Sequence, residues 1–136
     1  MELKADILLP GNAITGTCLA LTAPISFWGG VDPASGAIID ARHPERGRNI
    51  AGHILALPGT IGSSSASAVL LELVHAGKAP AALLMDAPDA ILLLGLVVAR
   101  EMGWPSPPAF RLTAAAQKPL ADRRIAISAE GLIRVE

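Results

Sequence analysis

Up to about residue 57 the chain alternates short apolar runs with Gly- and Pro-rich breaks, which is the pattern of strands and turns. It predicts strands over 2–8, 13–22, 37–40 and 50–57. "WGGVDPASG", residues 28–36, reads as a long turn punctuated by Asp32-Pro33 and Gly36. From residue 64 the period changes. Ala66, Val69, Leu70, Leu73 and Val74 recur at helical spacing over 64–76, while Glu72, His75 and Lys78 fall elsewhere on the wheel and Gly77 is a natural stop. Residues 79–85 form a short buried strand. Pro88 and Asp89 suit the first turn of a second helix, which closes at Gly103 before Pro105. That helix is apolar nearly all round and needs cover on most sides. A strand at about 109–112 follows, then a hairpin of 124–128 and 132–135 around Glu130-Gly131.

A β-α-β-α-β stretch with short connections makes parallel strands with right-handed crossovers. The leading and trailing strands add antiparallel pairing. The expected class is α/β: a three-layer β/β/α sandwich with a mainly parallel central sheet and an antiparallel second sheet. No repeat or linker divides the 136 residues, so 1–136 reads as one domain.

Composition sharpens this picture. The chain is 51% hydrophobic with only 3% aromatics, and its mean hydropathy is +0.48. So apolar a small domain either buries its elements heavily or keeps an apolar face for a partner. Eleven basic residues stand against twelve acidic ones, with no basic run and no Tyr, which argues against a nucleic-acid partner. Cys18 is the only cysteine; one thiol makes no internal disulfide and does not by itself hold an iron–sulfur cluster or zinc, so any metal must come largely from elsewhere. The longest apolar run, 90–99, is too short to cross a membrane, and the first residues lack the features of a signal peptide. A cytoplasmic protein is expected.

Common catalytic motifs are absent. No G-x-G-x-x-G occurs, Gly77-Lys78 is followed by Ala79 rather than the Ser or Thr of a P-loop, and the elbow-like Gly62-Ser63-Ser64-Ser65 ends in Ala66. His43 with Asp32 and Asp40 matches no ligand spacing and reads as turn chemistry with a surface histidine. His53 and His75 read as structural or solvated. The serine cluster is different. It follows a Pro/Gly turn and opens a helix whose first N–H groups have no intrahelical partner. One serine suffices for a cap, worth about 1 kcal/mol. A hydroxyl held over those amides also has its alkoxide stabilised and can act as a base. Residue types alone leave both readings open.

The stretch "PISFWGGVDPASGAIIDARHPERGRNIAGHILALPGTIGSSSASAVLLELVHAGKAPAALLM", continued by "DAILLLGLVVAREMGWP", resembles the swivel domain of the aconitase X family over about three-quarters of the chain. Ser26-Phe27-Trp28-Gly29-Gly30, Gly62-Ser63-Ser64-Ser65 and Ala79-Pro80-Ala81-Ala82 carry it most specifically. The resemblance implies a small β/β/α subunit that closes over a large subunit carrying an iron or iron–sulfur centre. Together they form a hydro-lyase acting on a hydroxylated carboxylic acid. It implies Ser63 as the general base, with Gly62, Ser64 and Ser65 beside the substrate and Ser26, Phe27, Trp28, Gly29 and Gly30 as a second loop on the shared cleft. Activities of the family are dehydration of cis-3-hydroxy-L-proline and of phosphomevalonate; composition tilts the expectation to the former. A non-catalytic module binding an anion or a partner is the competing class. Aconitase proper continues the serine turn with a substrate-gripping arginine, where this chain has Ser65. Recognition of the carboxylate must therefore come from elsewhere.

Overall fold

The computed structural model describes residues 1–62 and 64–136. Its strands are β1 (Glu2–Lys4), β2 (Asp6–Leu9), β3 (Ile14–Ala20), β4 (Ile54–Leu57), β5 (Ala82–Met85), β6 (Ala109–Arg111), β7 (Arg124–Ile127) and β8 (Leu132–Val135). The helices are α1 (Phe27–Gly30), a single distorted turn, then α2 (Ala66–His75), α3 (Ala90–Glu101) and α4 (Ala114–Gln117), the last running into a 3-10 turn at Lys118–Leu120.

The strands follow the order β1-β8-β7-β3-β4-β5-β6-β2. The centre, β3 to β6, is parallel, and the flanking pairs are antiparallel. Two segments pass between layers. The first half of β3 pairs with β7 and its second half with β4. At the other crossing a single residue, Ala5, separates β1 on β8 from β2 on β6. Ala5 is buried and its N–H donates to the Gly131 carbonyl at 2.9 Å. The expected strand 2–8 is thus two strands, and the sheet wraps so that its two outer members are adjoining pieces of chain.

Two cores result. One lies between the sheet layers and contains Cys18, Ile54, Ala56, Leu84, Phe110, Ile125 and Ile133. The other lies between the parallel strands and the helices, with Leu55, Leu57, Leu83, Leu70, Leu73, Leu92 and Leu96. All four residues of β4 and of β5 are therefore buried, as strands covered on both faces must be. Helices α2 and α3 pack so closely that a Cβ on Gly95 would sit 2.6 Å from the Ser67 carbonyl oxygen. Cys18 is wholly buried, and burial, aided by the Asp122 carboxylate, pushes its thiol up to about 12.

Two expected strands change. Residues 37–40 form no strand and make only isolated bridges, Val31 with Ile38 and Ala37 with Asn49. The 50–57 strand begins at Ile54, because Gly52 turns the chain at φ 72°. No helix among the described residues is long and apolar enough to cross a membrane.

Candidate functional site at the carboxyl edge

The four parallel strands end at one edge, the usual location of ligand sites in open α/β sheets. Four connections leave it: 21–26 into α1, 58–65 into α2, 86–89 into α3, and 112–113 into α4. They are tied together by specific bonds. Ile25 and Thr60 form a parallel bridge, and the Ile61 N–H donates to the Ile25 carbonyl at 3.0 Å. Thr60 Oγ1 donates to Asp89 Oδ2 at 2.8 Å. The other carboxylate oxygen of Asp89 accepts from the N–H groups of Ile91 and Leu92 at 3.0 and 3.1 Å, capping α3.

The serine turn stands out against the capped helices. Asp89 caps α3 and Thr113 caps α4 with side-chain oxygens. At the start of α2, Ser65 has helical dihedrals (φ −83°, ψ −8°) and its side chain makes no capping bond. Ser64 is exposed, and its carbonyl accepts a long bond from Ser67 Oγ at 3.4 Å. Neither Ser64 nor Ser65 serves as the expected cap. Gly62 is exposed, with no atom within 4 Å of where a Cβ would stand. Ser63, the expected base, lies outside the described residues.

The second loop divides. Phe27 is only 1% exposed, so it anchors the core rather than offering contact area. Trp28, by contrast, is 62% exposed. Ser26 Oγ donates to the Trp28 carbonyl at 2.9 Å, closing the turn. Gly29 takes φ 79°, a backbone region that disfavours other residues, and this turn presents the indole outward. Gly30 is buried, and a Cβ there would stand 3.2 Å from Ile25 Cγ1. Of this loop, Ser26, Trp28 and Gly29 remain accessible; Phe27 and Gly30 hold it in place.

His43 is a correction to the surface histidine expected from sequence. It is buried; the Glu45 N–H donates to its Nδ1 at 3.1 Å, and Nε2 lies 3.1 Å from the Ala23 carbonyl oxygen. Nδ1 therefore carries no proton and Nε2 is the donor. The Glu45 carboxylate accepts from Thr22 Oγ1 at 2.8 Å. With the Ile39 N–H donating to the Gly30 carbonyl, these bonds fix loop 40–48 beside 22–30. Arg42 and Arg46 are thereby brought to the same edge, exposed and in no ion pair among the described residues. Asp32 and Asp40 accept from backbone N–H groups in their turns, as expected.

Sequence reasoning also missed Gln117. It is 2% exposed, and Nε2 donates to the carbonyls of Leu57 and Leu112 at 3.0 and 2.9 Å. Those carbonyls sit at the ends of β4 and β6, and Leu57 immediately precedes the serine-bearing turn. Beside them is a cavity of about 360 Å³ lined by Thr22, Pro58, Gln117 and Lys118 among others. No group of three or more His, Cys, Asp and Glu residues among those described is placed to hold a metal ion.

A model of the aconitase X swivel domain matches residues 2–135. Over 102 residues the chain is 48% identical to a cis-3-hydroxy-L-proline dehydratase of Pseudomonas aeruginosa, covering 72% of this chain and 18% of that one. It is 37% identical over 99 residues to a phosphomevalonate dehydratase small subunit of Methanothermobacter thermautotrophicus, covering 73% and 75%. The chain spans less than a fifth of the length of the first curated relatives it matches. The crystal structure of Thermococcus kodakaraensis aconitase X superposes with a TM-score of 0.83 at 26% identity, over 100% of this chain and 98% of that one. The solution NMR structure of a UPF0107 protein gives the same TM-score and identity over 99% of its length. The chain belongs to the aconitase X swivel-domain family.

Proposed function

We propose that residues 1–136 act as one swivel domain, the small part of an aconitase-X-type hydro-lyase completed by a large polypeptide. The reaction is removal of water from a hydroxylated carboxylic acid, with cis-3-hydroxy-L-proline as the substrate. The observation that carries this reading is the start of α2 at the carboxyl edge, directly after a glycine-led serine turn. Higher identity to the proline dehydratase supports the substrate. The phosphomevalonate reading rests on length, since three-quarters of that small subunit is matched.

In the proposed step Ser63 takes the proton from the carbon next to the carboxylate. The C–H electron pair becomes the new double bond as the C–O bond to the hydroxyl on the adjacent carbon breaks with its electron pair. The departing hydroxide takes up a proton from solvent and leaves as water, and Ser63 later returns its own proton to solvent. A serine alkoxide is a strong base that needs stabilisation, and the N–H groups of the first turn of α2 supply it at low cost in reorganisation. Ser64 and Ser65 flank the substrate. Arg42 and Arg46, exposed on the loop bonded to 22–30, provide the positive charge that the family turn lacks at Ser65, and the exposed Trp28 contacts the substrate.

An iron or iron–sulfur centre does not fit this chain. Its only cysteine is fully buried with a thiol pushed up to about 12, far from the thiolate a cluster requires. Such a centre belongs on the large polypeptide, and the roles of Ser63, Ser64, Ser65, Arg42 and Trp28 need no metal held by this chain. The test is reconstitution. The chain and a large polypeptide from the same organism, corresponding to the remainder of the Pseudomonas relative, are purified separately and mixed with cis-3-hydroxy-L-proline. Turnover that needs both chains is expected. Turnover by the large polypeptide alone, or none by the mixture with this substrate or with phosphomevalonate, overturns the proposal.

A further inference from the structure

Helix α3 packs Leu92, Gly95, Leu96 and Ala99 inward, as its period requires. Its opposite face is where a surface helix carries charge, and here it does not. Ile91, Leu94, Val98 and Met102, spaced so that they share one stripe, are all exposed, with Val97 beside them; Leu94 is 53% exposed. Arg100 turns away to Ser106 and the Pro107 carbonyl, leaving Glu101 as the one acid of the helix. The neighbouring α2 exposes Ala68, Glu72 and His75 instead, so apolar exposure is not a general property of this layer.

The stripe is continuous with the carboxyl edge. Ile91 lies two residues beyond Asp89, whose bond to Thr60 holds the turn carrying Ile61, itself 56% exposed. Alone the stripe is too small to hold a partner. A 12-residue helix is about 18 Å long and about 10 Å wide, so one face offers about 180 Å², against about 800 Å² per side in a stable complex. That weighs against self-association through α3 and for a partner that spans helix and edge together.

We infer that the outer face of α3 is the docking surface for the large polypeptide, which lies over Ile91, Leu94 and Val98 with an apolar, uncharged patch while it covers the serine turn. This rests on the proposed function, in which a large polypeptide completes the site. Burying these side chains orients the domain on its partner, with substrate enclosed between the two at the edge.

The sequence supplies a clean probe, because Cys18 is the only thiol and is fully buried. Leu94→Cys and, at the far hairpin, Glu130→Cys are labelled with a maleimide, with and without the large polypeptide used in the reconstitution. The same fold has been solved in solution as a chain of this size, so the free domain is a fair reference. The expected result is labelling slowed tenfold or more at position 94 in the complex and unchanged at position 130. A further variant, Leu94→Glu, is expected to weaken the complex at least tenfold while keeping the amide spectrum of the free domain. If the complex elutes together yet position 94 labels at the free rate, the docking surface is wrong and the function stands. If wild-type chains form no complex, the function itself fails. Protection of position 94 that grows with this chain's own concentration, without the large polypeptide, makes a second copy the occupant and overturns the inference.

Discussion

The two edges of the parallel strands differ in a way that cavity size conceals. The amino edge has the larger hollow, about 520 Å³, lined by Asn12, Val74, Pro80 and the run Pro105–Pro108, with His75 its one titratable side chain. That histidine stacks on Trp104 at 4.6 Å between ring centroids. The carboxyl edge has the smaller cavity, about 360 Å³. It also gathers the start of α2 with its serine turn, an exposed indole, and Arg42 and Arg46. Proton abstraction beside a carboxylate needs a base, a means of holding its charge and a cation for the acid. Those groups, not volume, are the reason the proposed reaction is assigned to the carboxyl edge.

Four variants put this difference under strain. The largest effect is expected at Gln117. Replacing it with Leu keeps the bulk but leaves the Leu112 carbonyl without its buried donor and the Leu57 carbonyl with only the Asp86 N–H, which costs about 2 kcal/mol. Urea unfolding checks this, and an unchanged midpoint would show that the strand ends do not depend on it. Next, Arg42→Ala in the reconstituted enzyme is expected to raise KM about tenfold, equivalent to about 1.4 kcal/mol, with kcat little changed. An unaltered KM would move carboxylate recognition to the large polypeptide. Asp89→Ala loses the cap of α3 and the anchor of Thr60, for about 1 kcal/mol of stability. Thermal melting reads the loss, and Asp89→Asn should restore most of it. Smallest is the amino edge. His75→Ala is expected to change stability by less than about 0.5 kcal/mol and turnover not at all; a large loss of turnover would mean that both edges matter.

The hydrophobic pattern made the layers legible because each long element carries its period in its own residues. The two helices, the parallel strands and the hairpin come through at their expected places to within a few residues. The pattern failed where structure depends on distant partners. Nothing local shows that Ala5 is where the first strand changes sheets, since that is set by β8 and β6. His43 looked solvated because Ala23 and Glu45, which bond its ring, come together only in the fold. The paired aromatics at 27 and 28 divide into a core anchor and an exposed indole, a distinction that rests on the turn at Gly29. For the site, a turn at Ser64 and Ser65 leading into α2 was readable from composition, and the expectation that a serine caps the helix was not met by Ser64 or Ser65. Thr60 and Gln117 gave no signal, and Asp89 was legible only as a helix start, because the bonds of Thr60 to Asp89 and of Gln117 to Leu57 join distant parts of the chain.

The most direct test of the serine turn as half of an active site is the turnover of the reconstituted enzyme with Ser63→Ala beside Ser64→Ala and Ser65→Ala. Loss of a general base predicts that Ser63→Ala lowers kcat by about 10²- to 10⁴-fold with KM nearly unchanged, while the other two stay within about tenfold, as expected for side chains that only contact substrate. Near-wild-type turnover by Ser63→Ala, or the large loss falling on Ser64→Ala or Ser65→Ala instead, contradicts the assignment.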